Sequence, residues 1–165
     1  MQICAARVGV LCCYGRRGKE VAMKKDDLEI LREVQKDTGI AIKAIDTMFG
    51  KVRNDELSKE LSRERLAYSV IQNKATDRLQ NSNADGYSKS AVEDMMLSGS
   101  IHLNTLANCS SGKIAELMID GSNRNITRMW KAVNRYGNSG ETSMEIAREL
   151  MDFEEKSIGC LKKFL

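Results

Sequence analysis

From Asp26 to the C-terminus, apolar residues recur every three to four positions, the period of a helix that buries one face. The pattern predicts helices over about 26–49, 54–80, 90–120 and 142–164. The stripes run through Leu31, Val34, Thr38, Ile42, Ile45 and Phe49, then Leu57, Leu61, Glu64, Tyr68, Ile71, Ala75 and Leu79. They continue through Val92, Met95, Met96, Gly99, Leu103, Leu106, Ile114 and Leu117, then Ala147, Leu150, Met151, Glu154, Ile158, Leu161 and Leu165. Asp26-x-x-Glu29, Ser90-x-x-Glu93 and Thr142-x-x-Glu145 have the form of capping boxes, and Asn54 is a helix N-cap. Gly50, Gly86 and Gly140 separate the patterns. Residues 122–136 are also helical in pattern, with a restart expected after Gly121. Four amphipathic helices joined by short loops predict an all-α, up-down four-helix bundle with an extra helical segment after helix 3. Leu66 and Val70 lie on the far side of helix 2, so part of that face is expected to be covered as well.

Polar residues interrupt the stripes at one height. Thr38, Glu64 and Glu154 sit at the centre of their stripes and His102 on the flank of its own. Counted from the proposed helix starts, all four fall about 15–18 Å along their helices at 1.5 Å per residue. They form a candidate buried polar layer. A buried carboxylate needs a partner, a metal or a proton. The layer therefore reads as a structural hydrogen-bonding network or as a degenerate metal site made by Glu64, His102 and Glu154. Small residues at Ser98–Ser100 and Asn108–Gly112 read as close helix packing or as a hydroxyl-lined pocket.

Composition fits helix: 165 residues include no proline, and interior proline breaks helices. No apolar run reaches the ~18 residues of a membrane span. Residues 1–22 differ from the rest. They hold Cys4, Cys12 and Cys13, with Arg7, Arg16, Arg17 and Lys19 against Glu20. Removing these four basic residues and one acid from totals of 26 and 23 leaves 22 of each over 23–165. The segment lacks a signal-peptide cleavage pattern and a zinc-ligand spacing. It reads as a disordered or mistranslated leader, since residues 18–23 are encodable by a ribosome-binding site ahead of the Met23 codon. The domain is then 23–165, one helical bundle of neutral charge. That balance, with Trp130 the lone tryptophan, disfavours nucleic-acid binding.

The strings SGSIHLNTLANCSSGKIAELMIDGSNRNIT (98–127), ELMDFEEKSIGCLKKFL (149–165) and LSRERLAYSVIQNKA (61–75) resemble an uncharacterised family of ferritin-like four-helix-bundle proteins from anaerobic, spore-forming Gram-positive bacteria. The resemblance implies a cytoplasmic bacterial protein with a ferritin-like bundle and implies no activity.

The ferritin-type di-iron centre takes a Glu-x-x-His motif from each of two helices. His102 is the lone histidine and Gly99 precedes it by three, so neither motif exists. No phosphate loop, zincin motif or nucleophile–histidine set is present either. Cys109 and Cys160 read as small buried residues. The expected function is a non-catalytic bundle acting through protein partners or self-assembly, without cofactor, nucleic acid or membrane. The alternative is a ferritin-like protein binding iron, another divalent metal or a small ligand at the mid-bundle site. A surface is also expected on 121–136, where Arg124, Arg128, Lys131 and Arg135 share one helical stripe. Their opposite stripe, Ile126, Met129, Trp130 and Val133, is expected to face the core. The cations then face outward as a solvated surface or as an anion- or partner-docking face.

Overall fold

The computed structural model describes residues 23–87 and 110–165. Among them lie four α-helices: α1 (Lys25–Phe49), α2 (Asp55–Asn81), α3 (Ser111–Arg135) and α4 (Glu141–Leu161). A 3₁₀ turn, Lys162–Phe164, follows α4. The described residues contain no strand. The helices pack as a bundle. Cross-helix contacts pair Glu64 with Ser157, Tyr68 with Glu154 and Lys74 with Glu149, so α2 and α4 run antiparallel.

The helix starts follow the physics of capping, with two corrections. Asn54 accepts from the Leu57 N–H at 2.9 Å and Ser110 from the Lys113 N–H at 3.2 Å, as side-chain caps. The boxes expected at Asp26–Glu29 and Thr142–Glu145 do not form. Glu29 instead pairs with Arg32 at 3.0 Å. One buried carboxylate, Asp27, serves both helix starts: it accepts from Lys24 N–H at 3.2 Å and from Gly140 N–H at 2.7 Å. A Cβ at residue 140 would stand 3.3 Å from Asp27 Oδ1, so this approach favours glycine as the cap of α4.

The break expected at Gly121 is also absent. α3 passes through this residue without interruption and buries Ile114, Ala115, Met118, Ser122, Asn125, Met129 and Ala132 along one face. The continuous buried stripe outweighs the ~1 kcal/mol that one interior glycine costs. The part of the proposed third helix before Ser110 lies outside the described residues. Gly112 falls in the first turn of α3, where a Cβ would meet the Phe164 carbonyl oxygen at 3.2 Å. There the small residue admits the C-terminal turn.

The core follows the predicted stripes closely. Every residue of the α2 stripe is buried, as are Leu31, Val34, Thr38 and Ile45 of α1 and Ala147, Leu150, Met151, Glu154 and Leu161 of α4. The stripe ends escape: Phe49 and Leu165 are exposed. No described helix is long and apolar enough to cross a membrane.

Candidate functional site

The bundle interior carries a chain of polar side chains that touches all four helices. Asp37 projects from α1 and is fully buried. Arg128 of α3 donates Nε to Asp37 Oδ1 at 2.9 Å, with Nη2 2.8 Å from the same oxygen. The Arg128 Nη2 also donates to Asn125 Oδ1, one turn earlier. Asn125 Nδ2 in turn donates to Glu154 Oε1 of α4 at 2.8 Å. Tyr68 of α2 closes the chain, donating its hydroxyl to Glu154 Oε2 at 2.8 Å. The Tyr68 ring is set edge-on against Phe153, with centroids 4.8 Å apart and planes at 89°. Beside this chain, Ser157 donates to Glu64 Oε1.

Periodicity explains why these groups meet. Glu64 and Tyr68 are i and i+4 on α2, and Glu154 and Ser157 are i and i+3 on α4, so each pair shares a face. Asn125 and Arg128 are likewise i and i+3 on α3. Antiparallel packing of α2 and α4 then sets the two pairs opposite each other.

Burial dominates the electrostatics. Desolvation pushes Glu64 up to about 7; the Ser157 hydrogen bond opposes this, and the nearby Glu60 and Glu154 charges reinforce it. Asp37 is likewise pushed up to about 7 by burial, against the pull of Arg128. Glu154 is raised by burial despite its donors, and Tyr68 is raised well above its ordinary value by burial and by Glu154. Among the described residues, the buried atoms Asp37 Oδ2, Glu64 Oε2 and Ser122 Oγ have no hydrogen-bond partner. The Ser122 hydroxyl faces Glu154 and Tyr68 without closing a hydrogen bond of good geometry to either.

The expected polar layer is thus only partly the one that forms. Glu64 and Glu154 belong to it. Thr38 is buried but bonds back to its own helix, donating to Val34 O at 2.7 Å and Gln35 O at 3.1 Å. His102 lies outside the described residues. Asp37, Asn125 and Ser157 are additions; Tyr68 was expected only as an apolar stripe residue. Among the described residues, no group of three or more His, Cys, Asp or Glu side chains is placed to hold a metal ion.

The orientation of residues 121–136 is corrected. Trp130, assigned to the core, is 52% exposed, and Arg128, assigned to the surface, turns inward to Asp37. Arg124, Lys131 and Arg135 remain exposed. The physical reason is that α3 buries the face of Ser122, Asn125 and Met129, which satisfies a buried acid that a purely apolar stripe would have left unpaired. Cys160, read as buried, is exposed, and Cys109 lies outside the described residues.

Comparison with known proteins bears on the fold. No family model and no curated protein sequence matches the chain. The structure is similar to the crystal structure of a DUF305 fragment from Deinococcus radiodurans, with a TM-score of 0.68 and 9% sequence identity. The match covers 86% of this chain and 95% of that chain. At that identity the likeness supports a shared helical fold and nothing finer.

Proposed function

We propose that this chain is a non-catalytic, ferritin-like helical bundle that acts through protein partners or self-assembly, its mid-bundle polar layer serving to fix helix register. One observation carries the reading. Glu154 is wholly buried, and both of its oxygens accept from neutral donors on two other helices. Such an arrangement is satisfied from within and selects one alignment of helices over slipped alternatives. The ferritin-like part of the proposal, and with it a bacterial, cytoplasmic setting, rests on the family resemblance of residues 61–75, 98–127 and 149–165. The exposed Arg124, Lys131 and Arg135 remain suited to an acidic partner.

A second reading, a degenerate metal or small-ligand site at Glu64, His102 and Glu154, is favoured by the buried Glu64 Oε2, which has no donor. Untagged protein purified with iron supplied under anaerobic conditions separates the two. The structural reading expects Glu64→Gln and Glu154→Gln to change stability while elemental analysis shows no stoichiometric metal in wild type or variants. Stoichiometric metal in the wild type, lost in both variants, would overturn it.

A further inference from the structure

The outer face of α2 and α4 forms a shallow groove. Leu66 and Val70 stand in it at 67% and 46% exposure, beside Ala67 and Phe153. The α4 side of the groove carries Glu145, Arg148, Asp152 and Lys156, all exposed. Their spacings of three, four and four residues place them along one stripe. Their signs alternate: minus, plus, minus, plus. None of the four pairs with another described residue, whereas the neighbouring Glu149 is already held by Lys74 at 2.6 Å.

This order is complementary to its own reverse. An antiparallel copy of α4, with the two-fold axis between Arg148 and Asp152, sets Glu145 against Lys156 and Arg148 against Asp152, each twice. A parallel copy sets like against like. The antiparallel arrangement of α2 and α4 puts Val70 beside the same axis and Leu66 one turn away, so the exposed apolar pair lies where a copy would cover it. A two-fold contact of this kind is self-complementary and closes at a dimer.

We infer that the chain forms an antiparallel homodimer through the outer face of α2 and α4, with Leu66 and Val70 covered and the Glu145–Arg148–Asp152–Lys156 stripe paired with its own reverse. The inference rests on the reading of the chain as one that acts through its surfaces and names the surface used for self-assembly. The contact is partly electrostatic, so it weakens as salt rises.

Sedimentation equilibrium on the full chain tests it, with circular dichroism to confirm folding of each variant. The wild type is expected to dimerise. Arg148→Glu places acids opposite each other at both copies of the pair and is expected to raise the dissociation constant at least tenfold. Adding Asp152→Arg to that variant restores opposite signs and is expected to recover most of the affinity. Val70→Glu is expected to leave a folded monomer. A wild type that stays monomeric up to millimolar concentration overturns the inference. So does a dimer indifferent to these surface changes, which would still leave assembly through another face, and so does an open series of larger species. None of these outcomes bears on the metal analysis that tests the interior.

Discussion

Each face of α2 departs from the usual rule of burial at a few positions. Its inner face buries two carboxylates, Glu60 and Glu64, together with the hydroxyl of Tyr68, while its outer face shows Leu66 and Val70 to solvent. Inside, polar groups are tolerated because each finds a partner: Arg63 of the same helix for Glu60, Ser157 of α4 for Glu64, and Glu154 of α4 for the Tyr68 hydroxyl. Outside, the apolar groups have no such neighbour within the described fold. Single exposed apolar residues are common, but two of them one turn apart in a groove bordered by unpaired charges are not a scattered background. The contrast teaches that residue type alone does not assign a side; what decides is whether a partner waits there.

The largest effect is expected from emptying the inner face of its acceptor. Glu154→Leu leaves the Tyr68 hydroxyl and the Asn125 amide buried without a partner, a loss of about 1–3 kcal/mol for each of the two neutral groups. Denaturant unfolding at neutral pH checks it. A loss under 1 kcal/mol would mean the layer contributes little to the bundle.

Acid–base titration probes the same face. In the unfolded chain Glu64 loses its proton near 4.5, but in the fold it keeps it to about 7. Between those values the folded state binds more protons than the unfolded state, so stability falls as pH rises through this window and levels above it. At 1.36 kcal/mol per pKa unit, the Glu64 share of the loss is about 3 kcal/mol as an upper figure. Asp37 acts in the same direction. Glu64→Gln should flatten the pH dependence between 5 and 8, leaving the Asp37 share. An unfolding midpoint that rises over this range would contradict the assignment.

A smaller effect separates two arginines of one helix. Arg128→Gln removes the cation beside buried Asp37 and is expected to cost about 2 kcal/mol, since hydrogen bonds to charged groups contribute ~1.5–3 kcal/mol. Arg124→Gln, on the exposed side, should stay within about 0.5 kcal/mol. Equal effects would show that α3 is rotated from the orientation described.

The smallest effect belongs to the outer face. Leu66→Ser at concentrations dilute enough to keep the chain monomeric should change stability by no more than about 0.5 kcal/mol. A loss of several kcal/mol there would mean that Leu66 is packed within the single chain, and the comparison between the faces would fail.

Periodicity alone located the boundaries of α1, α2 and α4 to within a few residues and placed Glu64 and Glu154 at the buried centre of their stripes. It did so because a helix repeats every 3.6 residues and a bundle buries one face of each. Cap chemistry identified Asn54 for the same local reason: a side chain and the backbone three residues on are enough to decide it. Where a cap depends on a distant residue, local signals misled. Asp27 holds the start of α4 across 113 positions of sequence, and a nearby threonine gave no hint of it.

The remainder belonged to packing. Whether a glycine ends a helix depends on what the residues around it bury, and at Gly121 the stripe through Met118, Ser122 and Asn125 prevailed over propensity. Whether Arg128 or Trp130 faces inward was settled by an acid on α1, since Asp37 is buried and attracts the guanidinium. A charged residue and an aromatic two positions apart look like opposite faces of a helix, and a single-helix pattern assigns the aromatic to the core. Sequence by itself therefore determined the helices α1, α2 and α4 and the burial of Glu64 and Glu154, but not that of Asp27, Asp37 or Glu60, because the former follow from spacing along one chain. Only the tertiary structure decided which groups those carboxylates meet and which way α3 turns, because a hydrogen bond between helices depends on donors brought together from different parts of the chain.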